Sequence, residues 1–192
     1  MGETGSRERA SAPPIWAAVN DRVARVSRRR PIWPFARPYD RFVEGCLACD
    51  LAEGRIPLPG GVIYQSPSWF VEHCVGPLGV GTLVVKTKRH VSRVSQLTDE
   101  EAGELGPLLR HTAAVIDQLL APEQVYTWLF SHADAKPSHL HYVVQPATRA
   151  IMDDFGGQYG PQLTTAMFAR SELPNAAEVE DFAEQARNAF GY

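Results

Sequence analysis

The chain lacks several features that would place it in a class at once. No apolar run reaches the length of a membrane span, and the N-terminus has no continuous apolar segment of the kind found in signal peptides. Three cysteines cannot all pair with one another, so a disulfide framework is not expected. A formal net charge of −3 gives no overall reason to expect a nucleic-acid partner. We therefore expect a cytoplasmic protein without a membrane anchor.

The composition is typical of a globular protein, because 44% of the 192 residues are hydrophobic and 21% are charged. The charge is uneven, since nine arginines fall within residues 1–41. We interpret residues 1–38 as a basic tail, a helix and a Pro-rich linker, residues 39–150 as the main domain, and residues 151–192 as a helical extension packed on it. The arginines are expected to be solvated on a helix that covers the domain. A weak contact with nucleic acid or a membrane surface is the alternative.

Short β-type runs and one long helix dominate the central domain. Strands are predicted at 62–65, 69–74, 81–86, 125–131 and 139–146, where β-branched and aromatic residues are bounded by turn residues. A helix is predicted from Thr98, which forms a capping-box pattern with Glu101, and Gly106-Pro107 is expected to bend or split it. Further helices are predicted at 161–170 and after Asn175. This pattern indicates an α+β fold with a meander of antiparallel strands.

Two histidines occupy alternate positions in the last predicted strand. Because successive strand residues face opposite ways, His139 and His141 should share one face, while Leu140 and Tyr142 share the other. Two imidazoles on a rigid strand are costly to bury unless they bind a ligand or take part in chemistry. The pair therefore predicts a functional site.

Cysteines and another histidine complete a candidate metal site. Cys46 and Cys49 form a C-x-x-C pair, and His90 and His139 add two imidazoles, which together are the donor set of a tetrahedral Cys₂His₂ zinc site. The separation of about 40 residues between Cys49 and His90 excludes a zinc-finger module. The alternatives are two small buried cysteines beside an exposed His90, or a redox-active pair. Cys74 is interpreted as a core residue.

If His139 is a metal ligand, His141 is free to act on the same face of the strand. A neutral imidazole can attack phosphorus and leave again near neutral pH, so covalent nucleotidyl-histidine chemistry is open to His141. This chemistry needs hydrogen-bond donors around the phosphate oxygens. The candidates are Ser138, Lys136 and backbone amides of the loop before the strand, and His132 in the same loop is a further candidate.

In its motifs the chain resembles the histidine triad (HIT) superfamily of nucleotide hydrolases and transferases. Residues 139–145 (HLHYVVQ) are similar to the family motif His-φ-His-φ-His-φ-φ, in which φ is hydrophobic. Residues 46–57 resemble the zinc-binding opening of the family, and residues 81–101 resemble its segment GHxLVxPKxH…LTxEE. The three blocks occur in the expected order and span roughly residues 44–149.

The resemblance implies a HIT-like antiparallel half-barrel flanked by helices and often paired as a homodimer. As in zinc-bearing members and the related galactose-1-phosphate uridylyltransferases, it implies a structural Zn²⁺ held by Cys46, Cys49, His90 and His139. It also implies that His141 takes a nucleoside monophosphate from the α-phosphate of a nucleotide or nucleotide conjugate. The chain would then be a hydrolase or a nucleotidyltransferase.

One motif position departs from the family pattern. The third histidine position, which is Gln in the uridylyltransferases, is Val143, and valine offers no hydrogen bond to a phosphate oxygen. Gln145 lies one pleat further along the same face and is a candidate replacement for phosphate binding. The alternative function is therefore a non-catalytic nucleotide-binding or interaction module on the same scaffold.

Overall fold

The computed structural model describes residues 43–129 and 137–191, which form a five-stranded antiparallel sheet with helices packed on it. The strands are β1 (Val62–Gln65), β2 (Trp69–His73), β3 (Leu83–Thr87), β4 (Gln124–Trp128) and β5 (His141–Ala147). The helices are α1 (Leu47–Ala52), α2 (Asp99–Leu120), α3 (Arg149–Asp154), α4 (Gly160–Arg170) and α5 (Ala176–Phe190), with a 3₁₀ turn at Val94–Gln96. No helix within the described residues has the length and hydrophobicity needed to cross a lipid bilayer. The helix and linker predicted within residues 1–38 lie outside the described residues.

The order of strands across the sheet is β1-β2-β3-β5-β4, and every neighbouring pair is antiparallel. The first three strands follow one another as the predicted meander does. The strand β5 then lies between β3 and β4, because α2 connects β3 to the edge strand β4 and the chain returns as β5. The α+β fold class, an antiparallel sheet flanked by helices, is confirmed, and the strand with the predicted nucleophile has a neighbour on each side.

Helix α2 begins as the sequence predicts. The Thr98 hydroxyl accepts a hydrogen bond from the N–H of Glu101, and the Glu101 carboxylate accepts one from the N–H of Thr98. The predicted split at Gly106-Pro107 is not observed, since α2 continues through the proline over 22 residues. Leu105 and Leu108, on the two sides of the proline, pack in the same core, which offsets the hydrogen bond that proline cannot donate.

The two faces of the sheet bury different partners. One face packs against α2 and α5 in the larger core, which includes Leu140 of the segment before β5 and Val144 within it. The opposite face carries Val143, which packs with Leu163 and Met167 of α4 in a smaller core. The residues of β5 therefore alternate between two cores, as strand geometry predicts.

The residues after β5 add three helices to these cores. Helix α5 carries the predicted apolar stripe, and its members are buried: Val179, Phe182, Ala186 and Phe190. Gly60, with φ of 74°, allows a close approach of α5, because a Cβ at this position would lie 2.4 Å from the Cβ of Ala183. Helix α3 was not predicted from the sequence, because its six residues are too few to show a helical period.

Candidate functional site

The four predicted metal ligands meet at one end of the sheet. Cys46 is the N-cap of α1 and Cys49 lies in its first turn, His90 follows β3, and His139 lies two residues before β5. One potential ligand atom from each residue lies within 4.8 Å of all the others. Three of the residues are buried and His90 is half-buried. The structure thus brings together the complete ligand set that the sequence predicts.

The separations between sulfur and nitrogen atoms fit a tetrahedral zinc ion. Sγ of Cys46 lies 3.5 Å from Nδ1 of His139, and Sγ of Cys49 lies 3.4 Å from Nδ1 of His90 and 3.6 Å from Nδ1 of His139. Zinc–sulfur bonds of about 2.3 Å and zinc–nitrogen bonds of about 2.0 Å at a tetrahedral angle place such atoms about 3.5 Å apart. This donor set therefore suits Zn²⁺ with four protein ligands and no open position.

His139 is oriented for metal binding by the last residue of β3. Its Nε2 lies 2.9 Å from the carbonyl oxygen of Thr87 and 3.1 Å from the Thr87 hydroxyl oxygen. Because a carbonyl oxygen can only accept, Nε2 carries the proton and the lone pair of Nδ1 faces the two sulfur atoms. Burial lowers the pKa of His139 to about 4, which keeps the ring neutral near pH 7. A neutral imidazole with this tautomer is the form that binds a metal ion.

The thiol of Cys49 binds a metal only as a thiolate. Burial, together with the neighbouring Cys46, raises the pKa of Cys49 to about 11. A metal ion that binds here must displace the thiol proton, so metal binding should weaken as the pH falls. A zinc ion suits this requirement, because it deprotonates the cysteines that coordinate it.

The ring of His141 is fixed by the backbone of the neighbouring metal ligand. Nδ1 of His141 lies 2.9 Å from the carbonyl oxygen of His139, so Nδ1 donates the hydrogen bond and carries the proton. The second nitrogen, Nε2, then holds the lone pair, and it has no hydrogen-bond partner among residues 43–129 and 137–191. His141 therefore has the tautomer required of a nucleophile that acts through Nε2.

A groove of about 260 Å³ lies over the sheet beside His141. Its lining includes the alternate residues Val84, His141 and Val143 of two neighbouring strands. Side chains of α1 line one side, and the aromatic rings of Trp128 and Phe168 also contribute. Because most of these side chains are apolar, the few polar ones are those that would orient a ligand.

Three other predicted substrate-binding residues belong to the segment before β5. Ser138 is half-buried and directly precedes His139. Its binding to a phosphate oxygen stays a prediction. Lys136 and His132 lie outside the described residues, so the structure gives no position for either side chain.

Gln145 is placed in the interior of the protein. Its side-chain oxygen accepts hydrogen bonds from the Thr164 hydroxyl at 3.0 Å and the Trp128 indole at 3.4 Å. Its amide nitrogen lies 3.0 Å from the sulfur atom of Met167. These contacts give Gln145 a role in joining β4, β5 and α4, and its binding to a substrate phosphate stays a prediction.

Two charged residues that line the groove, Glu72 of β2 and Lys86 of β3, were not predicted from the sequence. Nζ of Lys86 lies 2.7 Å from Oε1 of Glu72, although both side chains are almost fully buried. The sequence did contain a signal for this pair, because Glu72 and Lys86 are charged residues within two otherwise mainly apolar strands. The pairing itself depends on the register between β2 and β3, which the sequence of the connecting loop did not define.

No family model matches this chain. Solved structures are nevertheless similar to it. A HIT-like protein from Bartonella henselae, described as involved in cell-cycle regulation, is 15% identical with a TM-score of 0.59, and the match covers 77% of this chain and 98% of that one. A hypothetical histidine triad nucleotide-binding protein from Sulfolobus tokodaii is 14% identical with a TM-score of 0.57, over 76% of this chain and 91% of that one.

A third similar structure is a zinc-bound histidine triad family protein from Mycobacterium smegmatis. It is 17% identical with a TM-score of 0.53, and the match covers 76% of this chain and 92% of that one. Together these similarities show that the chain has the fold of the histidine triad proteins, which confirms the fold that its motifs imply. The relation to galactose-1-phosphate uridylyltransferases stays a prediction.

Proposed function

We propose that the protein is a HIT-like nucleotide hydrolase or nucleotidyltransferase that acts at a nucleotide α-phosphate through His141. The hydrogen bond from Nδ1 of His141 to the carbonyl oxygen of His139 carries the proposal, because it leaves the Nε2 lone pair for the groove. The similar Sulfolobus protein is named as a nucleotide-binding protein, which supports a nucleotide as the ligand. The substrate class is a nucleoside phosphoanhydride, a nucleoside phosphoramidate or a sugar nucleotide.

The reaction consists of two displacements at phosphorus. The Nε2 lone pair of His141 forms a bond to the α-phosphorus, and the bond from phosphorus to the leaving group breaks, so that this group departs with the electron pair. The imidazolium that results keeps its proton on Nδ1, where the carbonyl oxygen of His139 accepts the hydrogen bond. Water or another acceptor then attacks phosphorus, the N–P bond electrons return to Nε2, and the acceptor loses its proton to solvent.

The zinc ion is assigned a structural role in this proposal. Cys46, Cys49, His90 and His139 would hold it, and four protein ligands leave no position for the substrate. The ion would connect α1 with the segments before β5 and after β3. Since the backbone of His139 also accepts the hydrogen bond from His141, a firmly held His139 would keep the nucleophile in place.

The experiment that tests the proposal measures release of nucleoside monophosphate from a panel of dinucleoside polyphosphates, nucleoside phosphoramidates and sugar nucleotides. Native protein should release the monophosphate from at least one class, and the His141→Ala variant should lose that release. Zinc content should stay near one ion per chain in both proteins, because His141 is not part of the ligand set.

A His111→Ala variant is the matched control, since His111 lies on α2 against Tyr64 and Phe190 and does not line the groove. It should keep the native rate of release. Unchanged release by the His141→Ala variant would contradict the mechanism. Nucleotide binding by native protein without any release would contradict an enzymatic function.

The proposal also includes a homodimer and a cytoplasmic location, as the family resemblance and the sequence imply. Light scattering after size-exclusion chromatography measures the mass in solution directly. A monomer at micromolar concentration would remove the homodimer from the proposal without affecting the chemistry at His141.

A further inference from the structure

The groove beside His141 contains a buried ion pair that the two displacements do not use. Nζ of Lys86 lies 2.7 Å from Oε1 of Glu72, and the side chains are 1% and 4% exposed. Lys86 also donates a hydrogen bond of 3.0 Å to the carbonyl oxygen of Ala48 in α1. Both charged residues line the same groove as His141, so they are candidates for contact with its ligand.

The described residues do not satisfy all the hydrogen-bonding atoms of this ion pair. A lysine ammonium has three N–H donors, and Glu72 and Ala48 account for two of them. The second carboxylate oxygen of Glu72, Oε2, is buried and has no partner in the described part of the chain. Because buried polar atoms are nearly always hydrogen-bonded in folded proteins, the unused N–H of Lys86 indicates an acceptor in the groove, whereas Oε2 of Glu72 can only accept a hydrogen bond and does not bind an anion.

Stability does not account for a charged pair at this position. Taking two charges out of water costs about as much as their attraction returns, and apolar side chains of similar volume often give a core that is at least as stable. Val84 and Val143, which line the same groove, are apolar. Apolar side chains would therefore also suit the positions of Glu72 and Lys86, which makes a functional reason for the charges the better explanation.

The sheet register places Lys86 directly opposite His141. The two residues are partners in the β3–β5 ladder, so their side chains leave the same face with Cβ atoms about 4.5–5.5 Å apart. Val143 is the next residue of β5 on that face, and it offers no hydrogen bond to a phosphate. Among the described residues that line the groove, Lys86 is the one lysine or arginine.

We propose that Lys86 supplies the positive charge and hydrogen bond that the α-phosphate needs beside His141, in place of the donor missing at Val143. This inference rests on the proposed function. As Nε2 of His141 bonds to phosphorus and the leaving group departs, negative charge is held on the non-bridging oxygens, and the third N–H of Lys86 donates to one of them. Glu72 does not touch the reacting atoms, so it is a positioning residue that holds Nζ in place.

The test uses a variant in which both charges are removed together. Replacing Lys86 alone would leave a buried, unpaired carboxylate and endanger folding, whereas Lys86→Met with Glu72→Gln leaves no buried charge. Lys88→Met is the matched control, because Nζ of Lys88 donates to Gln65 and Lys88 does not line this groove. Zinc content and far-ultraviolet circular dichroism establish that each variant is folded.

The first readout is the rate of monophosphate release from the substrate that native protein accepts. The double variant should lose roughly 10²–10³-fold in kcat, as expected for the loss of one donor to a transition-state oxyanion. The Lys88→Met variant should stay within about twofold of the native rate. A general structural defect would instead lower zinc content and helical signal as well.

The second readout does not depend on turnover. Calorimetry compares the affinity for a nucleoside monophosphate with the affinity for the same nucleoside without its phosphate. Since Lys86 is assigned to the phosphate, the double variant should bind the monophosphate at least about tenfold more weakly and the nucleoside with native affinity.

The outcomes separate this inference from the proposed function. A native kcat and native monophosphate affinity in the double variant would overturn the role of Lys86 and leave His141 as the nucleophile. Equal losses of monophosphate and nucleoside affinity would also overturn it, because they would show a damaged groove. If native protein neither releases nor binds any nucleotide of the panel, the proposed function is wrong and the role of Lys86 is wrong with it.

Discussion

Two buried polar clusters lie close together at one end of the sheet, and they differ in how completely their atoms are paired. In the metal cluster, four ligand atoms converge within 4.8 Å, and the outer nitrogen of His139 is bonded to Thr87. In the ion pair, Oε2 of Glu72 and one N–H of Lys86 have no partner among the described residues. We call the metal cluster closed and the ion pair open, because the ion pair leaves hydrogen-bonding positions unfilled among the described residues.

This difference separates a structural role from a functional one. In the proposed function, a closed set of four ligands would offer nothing to a substrate, and a bound zinc ion would hold α1 and two distant segments together. An open ion pair is a poor source of stability, because its desolvation is not repaid by complete hydrogen bonding. Substitutions in the closed cluster should therefore change stability first, and substitutions in the open pair should change phosphate chemistry first.

The largest effect is expected for Cys49→Ser. Zinc content should fall from one ion per chain to near zero, and the free energy of unfolding should fall by more than about 3 kcal/mol, since structural zinc sites in small modules bind with about 10–16 kcal/mol. Metal analysis and urea unfolding measure the two quantities. Cys74→Ser is the matched control, because the Cys74 thiol accepts a hydrogen bond from Gly76 outside the cluster. Retention of zinc by the Cys49 variant would show that the cluster does not hold the metal.

A smaller effect is expected for Gln145→Leu, which tests whether this amide belongs to the core or to the substrate. Thr164 and Trp128 would lose a buried acceptor, so the free energy of unfolding should fall by about 1–3 kcal/mol while monophosphate release stays near the native rate. Gln124→Leu on the exposed start of β4 is the control for the substitution itself. A large loss of release with unchanged stability would instead support Gln145 as a substrate-binding residue.

The smallest effect is a pH dependence of the free energy of unfolding that arises from His73. Both ring nitrogens of His73 are hydrogen-bonded. Nδ1 donates to the carbonyl oxygen of Cys74 and Nε2 accepts from the N–H of Gly81, while burial lowers the pKa of His73. The unfolded chain then binds more protons than the folded chain below the ordinary histidine pKa of about 6.5. His73 thus contributes stability that is present above this pH and is lost as the pH falls.

This dependence is measured as the free energy of unfolding of zinc-loaded protein at pH 7.5 and at pH 6.0. The native protein should lose more stability between these values than the His73→Gln variant, whose amide does not titrate. Equal losses in the two proteins would show that protonation of His73 is not coupled to folding.

The sequence was sufficient for the closed cluster and insufficient for the open pair, and the reason is physical. Cys46 and Cys49 are three residues apart, and together with His90 and His139 they form a zinc donor set, so side-chain chemistry indicated a site that joins distant segments. Glu72 and Lys86 meet only because β2 and β3 pair in one particular register. A shift of one residue would place one of the charges on the other face.

The same distinction explains the other differences between prediction and structure. The contacts of Gln145 with Thr164 and Met167 were not predicted, because both partners belong to α4 and its docking cannot be read from the pattern of β5 alone. The position of β5 between β3 and β4 also depends on long-range pairing. The capping box of α2 and the apolar stripe of α5 were predicted correctly, because both arise within a single helix.

The most direct test of the central claim is a search for the covalent intermediate on His141. Native protein is mixed with the accepted substrate, quenched within milliseconds in denaturing alkali, where an N–P bond to histidine survives, and its peptides are measured by mass spectrometry. The account predicts the mass of one nucleoside monophosphate on the peptide that contains residues 137–147, with fragments that place it on His141 and not on His139. Rapid release of monophosphate with no adduct at any quench time, or an adduct that persists in the His141→Ala variant, would contradict it.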